Sequence, residues 1–298
     1  MTRQWVRHLR GTPATRWGIV ILVLMALLAV IGPCVVPQNP YQQDILHRLA
    51  SPSLQHILGT DQYGRDVLAR VVLGTRPSLE IALFSMLFSM AIGVPIGILA
   101  AYRGGWVDTL VLRFVDVMMS FPTLVLGVAI AAVLGAGLDK VTLAIGIAFV
   151  PRFIRLARAP VLVIRESVYV EAARALGMST FRVLWRHILP NVVGEILVVA
   201  TLWMATAIRV EASLAFLGLG VQPPYPSLGN MIREGVDRLT LAPWLALAPG
   251  IAILLLVIAI NLIGDGMRDL FDPRTQSRRP FAPSVGKRVA GLRSRGRL

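Results

Sequence analysis

Long uncharged runs, rather than any alternation of polar and apolar positions, dominate the chain. Residues 17–36, 81–102, 117–138 and 239–264 contain no Asp, Glu, Lys or Arg. Each is long enough at helical rise to cross a hydrocarbon core, which takes about 20 apolar residues. Two further runs are apolar but interrupted: 141–163 carries Arg152, Arg155 and Arg158, and 192–208 carries Glu195. The pattern predicts an all-α, polytopic membrane protein in which hydropathy alone leaves four or six crossings open.

The distribution of basic residues separates the two counts, because Lys and Arg in short loops are retained on the cytoplasmic side. With six spans and the N-terminus inside, 22 of the 30 Lys and Arg residues fall inside and 8 outside; four spans would give 15 and 15. Six transmembrane helices with both termini in the cytoplasm are therefore expected. The first run is too long for a secretory signal and has no small-x-small site before Pro37, so an uncleaved first helix is expected. Pro95, Pro122 and Pro151 fall within the second, third and fourth spans, where each removes a backbone donor and tends to kink the helix.

Composition sharpens this picture. The chain has 298 residues, 55% hydrophobic and 15% charged, with a mean hydropathy of +0.68; soluble domains carry about 25% charge. A water-soluble globular enzyme is excluded. The net charge of +14 then belongs to topology and lipid headgroups before nucleic acid. Residues 1–16 form a basic cytoplasmic N-terminus and residues 271–298 a basic cytoplasmic tail. Cys34 is the single cysteine, so no intrachain disulfide staples the fold.

Between the first two spans, residues 37–78 form an outer-face loop that includes Gly59, Thr60, Asp61, Gln62, Tyr63, Gly64, Arg65 and Asp66. Asp61 can accept from backbone N–H groups just ahead, Gly64 permits positive φ, and Asp66 can cap a short helix starting at Val67. On the inner face, residues 152–190 carry the pattern of two short helices. The first runs from Ser167 to Leu176 and stops at Gly177; Ser179 caps a second that reaches Ile188, and Pro190 marks entry into span five. Ala172 and Ala173 present almost no side chain, beside the apolar Tyr169, Val170 and Leu176. Two readings of this helix–Gly–helix knuckle stand side by side: a plug for a hydrophobic groove in another protein, and an amphipathic hairpin lying on lipid.

These residues resemble a known family, the permease subunits of type I ABC importers, and within it the C-type subunit of dipeptide, oligopeptide and nickel systems. Glu171-Ala172-Ala173, Gly177 and Ile188-Leu189-Pro190 are similar to the family's EAA loop. Three more stretches match the subgroup in order: residues 59–66; Glu211-Ala212-Ser213 through Phe216-Leu217-Gly218-Leu219-Gly220 to Gln222-Pro223-Pro224; and Asn261-Leu262 with Gly264-Asp265-Gly266 through Asp272-Pro273-Arg274. The resemblance implies a permease domain over residues 79–270 and a location in the bacterial inner membrane. It implies a heterodimeric pathway shared with a paralogous B-type permease, two cytoplasmic ATPase subunits and an extracytoplasmic substrate-binding protein. The loop from Glu171 to Gly177 would then dock on an ATPase, and the cargo would be peptides or, alternatively, nickel chelates.

No catalytic or metal-binding constellation is visible. Gly-x4-Gly-Lys-Ser/Thr is missing, Gly286-Lys287 being followed by Arg288, so ATP and magnesium are expected in partner subunits and no cofactor in this chain. His8, His47, His56 and His187 are scattered. Nucleic acid is not an expected partner, since the tail beyond Pro273 has only Phe281 as a stacking residue. Candidate polar or gating residues near the spans are Arg113 and Asp116, three apart and expected to pair, together with Glu195 and Asn261; the same applies to Arg209 and Glu211. A gradient-driven secondary transporter is the competing class, but the internal repeat and mid-membrane acids expected of one are not evident.

The topology is open to a direct check. Reporter fusions at Leu298 and after Gly177 are both expected to behave as cytoplasmic, and an outside signal at either position would reject the six-span arrangement.

Overall fold

The computed structural model describes residues 13–271. The basic stretches 1–12 and 272–298, including Asp272-Pro273-Arg274 of the fourth motif, lie outside the described residues. Among the described residues there are ten α-helices: α1 (Pro13–Val35), α2 (Val67–Arg103), α3 (Gly105–Met119), α4 (Thr123–Leu134), α5 (Leu138–Ile164), α6 (Val168–Ala175), α7 (Thr180–Val183), α8 (Leu189–Phe216), α9 (Leu228–Val236) and α10 (Trp244–Phe271). A π-turn, Leu184–Ile188, joins α7 to α8. Among the described residues there is no strand, only an isolated bridge between Thr60 and Asp66.

Four segments are long and apolar enough to cross a membrane: Pro13–Gly32, α2, the continuous run Thr180–Phe216, and Trp244–Asp269. The third expected span is a broken one, α3 and α4 meeting at a 90° bend and counting as a fifth crossing if taken together. Pro122 sits at this bend as the residue before α4, where its missing N–H costs no helical hydrogen bond. The helix at the fourth expected span, α5, exists over 27 residues but carries its arginines within the apolar stretch. Length and apolarity alone therefore do not reach a count of six.

The centre of the packing is the contact of α2 with α5. Ser85, Ser89, Gly93, Gly97 and Ala101 recur every fourth residue and are all buried, forming one stripe of small side chains along α2. In lipid no hydrophobic force drives helices together, so close approach of small residues supplies van der Waals contact and short hydrogen bonds instead. A Cβ at Gly97 would lie 2.4 Å from the carbonyl oxygen of Ile154, and one at Gly93 would lie 2.6 Å from Phe153 Cβ. Ser89 Oγ donates to the Gly146 carbonyl at 2.6 Å. These contacts advance together along both helices, so α2 and α5 run parallel. A large buried apolar cluster gathers Ile81, Ile145, Phe149, Phe153, Ile196 and Ile208 around them.

At the start of α2, residues 59–66 form a buried knot. Asp61 accepts from the N–H groups of Tyr63 (2.8 Å) and Arg65 (3.0 Å). Its other oxygen takes Arg65 Nε at 2.6 Å and lies 3.5 Å from Arg70 Nε. Both guanidinium groups reach Glu234 of α9, at 3.4 Å and 4.0 Å. Asp66 caps the helix by accepting from Ala69 N–H at 2.7 Å and also meets His56 Nδ1 at 2.9 Å. The turn into α2 is as expected, but the helix is not short. It runs unbroken for 37 residues, about 55 Å at 1.5 Å per residue, so its first turns stand with the knot and the rest is long enough to span.

Trp244 Nε1 donates to the Thr60 carbonyl at 3.3 Å, which sets the start of α10 against the knot. At the opposite end of the molecule, a Cβ on Gly266 of α10 would meet Thr15 of α1. Arg165, just past α5, donates to the Ala101 carbonyl at 2.7 Å near the end of α2. The two ends of the described chain and the α5–α6 junction thus share one end; the knot and α9 share the other.

Gly64 gives this arrangement a sharp test. It has φ +73°, and a Cβ there would fall 1.7 Å from the Asp44 carbonyl oxygen, whereas a Cβ on Gly250 of α10 meets nothing within 4 Å. Gly64→Ala is expected to cut folded yield and thermal stability sharply in detergent. Gly250→Ala is expected to be neutral or to stabilise by up to about 1 kcal/mol through helix propensity.

Candidate functional site: the inner-face knuckle and the polar residues behind it

The knuckle is tethered at its entry and closed at its exit. Ser167 precedes α6 with extended backbone and accepts from Val170 and Glu171 N–H through its carbonyl, both at 3.0 Å. Its hydroxyl turns back to the Ile164 carbonyl at 2.5 Å rather than capping the helix. Arg174 holds α6 to α2: its Nε donates to Tyr102 Oη at 3.1 Å, and its guanidinium lies 4.6 Å from the centre of the Tyr102 ring.

Gly177, with φ +77°, closes α6. Its N–H donates to the Arg174 carbonyl at 2.9 Å and Met178 N–H to the Ala173 carbonyl at 3.1 Å, the paired bonds of a Schellman ending. The second helix begins after Ser179 as expected, but the Ser179 side chain makes no capping bond. Nor does this helix stop after Ile188, before the entry into span five at Pro190. Leu189 N–H donates to the Leu184 carbonyl five residues back, and this local widening carries the chain into α8 past a residue that has no N–H to give.

Burial divides the motif. Val170 and Ala173 pack inward, and so does Ile188; Leu189 is half-buried. Val168, Glu171, Ala172, Ala175 and Leu176 are exposed and fall at helical spacing on one outward stripe. The sequence reading grouped Ala172 with Ala173, and Val170 with Tyr169, as one contact surface; a helix turns 100° per residue, so adjacent residues part. The Glu171 carboxylate forms no hydrogen bond or ion pair among the described residues. Gly177 and Pro190 are exposed beside the stripe.

The expected pairing of Arg113 with Asp116 does not form. Asp116 is bonded to Arg155 of α5, and Arg113 is exposed without an ion pair among the described residues. The reason is tertiary: α5 presents Arg152, Arg155 and Arg158 at three-residue intervals to the bent α3–α4 pair. Arg158 donates from Nε and Nη2 to the two Asp108 oxygens, both at 2.7 Å, and Arg152 bonds to the Thr123 hydroxyl. The triple-arginine spacing was the available signal, while its acceptors lie 29 to 50 residues away in sequence. Glu195 is exposed and Asn261 half-buried. Arg209 donates to Thr206 Oγ1 at 3.0 Å. Glu211 is fully buried, with Ser78 Oγ donating to its Oε2 at 2.9 Å and Oε1 left without a partner.

Residues 93–277 match the family described as binding-protein-dependent transport system inner membrane component, and residues 1–52 match the N-terminal transmembrane domain of oligopeptide transport permease C. The chain belongs to this family of inner membrane permeases. It is 39% identical over 275 residues to the dipeptide transport system permease protein of Alkalihalophilus pseudofirmus, covering 92% of this chain and 90% of the relative. It is 40% identical over 276 residues to the glutathione transport system permease protein of Pectobacterium atrosepticum, covering 92% and 91%. It is 43% identical over 268 residues to a putative peptide transport system permease protein of Brucella suis, covering 90% of each. In fold it is similar to an inward-facing structure of the MetNI methionine ABC transporter, with a TM-score of 0.56 at 20% identity over 68% of this chain and 96% of that one. The chain is thus a multi-pass inner membrane permease subunit of a type I ABC importer, of the dipeptide and oligopeptide C type. It is a transport component rather than an enzyme, and its family works with ATPase and substrate-binding partners.

The two carboxylates of α3 differ in setting. Asp108 is paired bidentately and is mostly buried, while both members of the Asp116–Arg155 pair are about half exposed. Asp108→Ala is expected to destabilise the purified chain by about 2 kcal/mol, the scale of a charge-assisted hydrogen bond. Asp116→Ala is expected to cost under about 1 kcal/mol. Thermal unfolding of both variants checks the order.

Proposed function

We propose that this chain forms one half of the translocation pathway of an ATP-driven peptide importer, paired with a paralogous B-type permease. The outward stripe of α6, with Glu171, Ala172 and Gly177, docks on one of two cytoplasmic ATPase subunits, which hold the ATP and magnesium. An extracytoplasmic binding protein delivers cargo at the opposite, knot-bearing end. The relatives named for dipeptide, glutathione and peptide transport support peptides as cargo over nickel.

The observation that carries this reading is a short helix tied at both ends, with one stripe of apolar and small residues, Val168, Ala172 and Ala175, exposed beside an unpaired Glu171 carboxylate. A lipid-surface hairpin would lay a continuous apolar face on the bilayer; here the inward face is already used by Val170 and Ala173. The arrangement of ends supports the topology: both described chain ends lie with the knuckle, opposite the knot. Helices α1, α2, α3 with α4, α5, α8 and α10 then make six crossings of alternating direction. The arginines of α5 are accommodated because each faces an acceptor on the α3–α4 pair instead of lipid. Of the candidate gate residues, Arg113, Glu195 and Asn261 are left for the pathway.

The reading is tested in the assembled, reconstituted complex. Ala172→Trp is expected to leave the chain in the membrane at normal level while lowering cargo uptake and binding-protein-stimulated ATP hydrolysis about tenfold, since overpacking a close contact costs about 1–3 kcal/mol. Ala173→Trp is expected instead to lower the amount of chain, because that side chain points inward. Dipeptides should compete for uptake and nickel should not. Uptake by the isolated chain, driven by a proton or sodium gradient without nucleotide, would overturn the proposal.

A further inference from the structure

Two cavities beside the knuckle share a wall. One, of about 180 Å³, lies between α2 and the π-turn, lined by Val94, Pro95 and Leu99 on one side and Leu184 and Leu189 on the other. The other is an open basin of about 660 Å³ bordered by Ser179, Arg182, Arg186 and Pro190. Phe181 and Trp185 border both; their rings stack with centroids 6.2 Å apart and planes 8° from parallel. These rings are 75% and 66% exposed. One face therefore carries an apolar slot, an aromatic divider and a basic basin in immediate succession.

We propose that this surface binds one anionic phospholipid of the inner leaflet, its acyl chain in the slot and its phosphate between Arg182 and Arg186. The proposal rests on the reading that the knuckle faces the cytoplasm. Charge complementarity selects the occupant. Arg182 and Arg186 are exposed, one turn apart, and neither has a carboxylate partner among the described residues. Like charges at this spacing repel, and a phosphate between them removes the repulsion while accepting several hydrogen bonds. The slot offers no polar group, so its occupant is hydrocarbon at the point where it leaves the basin. Two exposed aromatic rings at the boundary match the preference of Trp and similar residues for the headgroup level. A protein partner would have to supply an acid and a long apolar side chain in the same order; a phospholipid has them by constitution and is present in excess.

Position gives the site a consequence. The divider stands on α7 and the π-turn, the segment that links Gly177 to α8, and the far wall is α2, to which Arg174 ties α6. A lipid seated here bridges the two anchors of the knuckle.

The test uses the assembled importer in nanodiscs and the Trp185-dependent fluorescence, obtained by subtracting a Trp185→Phe complex. Phosphatidylglycerol brominated on its acyl chain is expected to half-quench this signal at a mole fraction on the order of tenfold below brominated phosphatidylcholine, the scale two interfacial arginines supply. In Arg182→Gln/Arg186→Gln the two lipids should become equivalent with quenching retained. Equal quenching by both lipids in the parent would overturn the headgroup site. Absence of Trp185 quenching by either, as when an ATPase subunit covers the surface, would overturn the whole proposal. Labelling of Leu176→Cys by an impermeant thiol reagent in sealed vesicles reports sidedness separately, so a misplaced knuckle is distinguished from a lipid site that fails.

Discussion

Everything at the knuckle-bearing end depends on how closely α2 and α5 approach. Two parallel helices held apart by ordinary side chains would leave the Ser89 hydroxyl only the Ser85 carbonyl of its own helix, and the Gly146 carbonyl without that donor. The stripe from Ser85 to Ala101 removes those side chains at every fourth position, and the backbone of α5 lies against α2 at Gly93 and Gly97. Because the contact is backbone to backbone, it sets the rotation of α5 as well as its distance. That rotation turns Phe149 and Phe153 into the core and Arg152, Arg155 and Arg158 toward α3 and α4. The same register brings Arg165 to the Ala101 carbonyl, from which α6 departs.

The fold places its charges by two devices. At the end opposite the knuckle, Asp61, Arg65, Arg70 and Glu234 are packed into one network, with Asp61 satisfied on both oxygens. Burying such charges is expensive, and the network is more a device of position than of net stability: it joins the outer loop, the first turns of α2 and α9, which are far apart in the chain. Along α5, each arginine meets an acceptor from the α3–α4 pair, so the bend at Pro122 is held from the side. Glu211 departs from this practice, having a hydroxyl partner on one oxygen and none on the other.

The knuckle inherits rigidity from both devices. Its entry is fixed by Arg165 and Arg174 against α2, its exit by the turn at Gly177 and by a helix that continues through the π-turn into α8. A force applied to the outward stripe of α6 is therefore delivered to two long helices rather than absorbed in a loop. This is the mechanical property a docking element needs, and it places the amphiphilic surface at Trp185 directly in the linkage.

The class of fold, the apolar runs that become the long helices, the turn at residues 59–66, the helix–Gly–helix knuckle and the family were legible in the sequence, whereas the 37-residue length of α2 and the 90° break between α3 and α4 were not. The legible features follow from local quantities: the length of uncharged runs, the tolerance of glycine for positive φ, the capping chemistry of Asp66, and motifs in order. Tertiary structure alone decided which face of each helix mattered. Ala173 was legible as a small residue, but only packing turned it inward and left Ala172 outside. Asp116 was legible as an acid near an arginine, but the arginine it meets comes from another helix, because the α2–α5 contact fixes the rotation of α5. The break expected between Ile188 and Pro190 is bridged by a π-turn, which carries the chain past the missing donor of Pro190 without ending the helix. Local rules see neighbours along the chain, whereas the acceptors of Arg152, Arg155 and Arg158 lie 29 to 50 residues away and are brought to them only by packing.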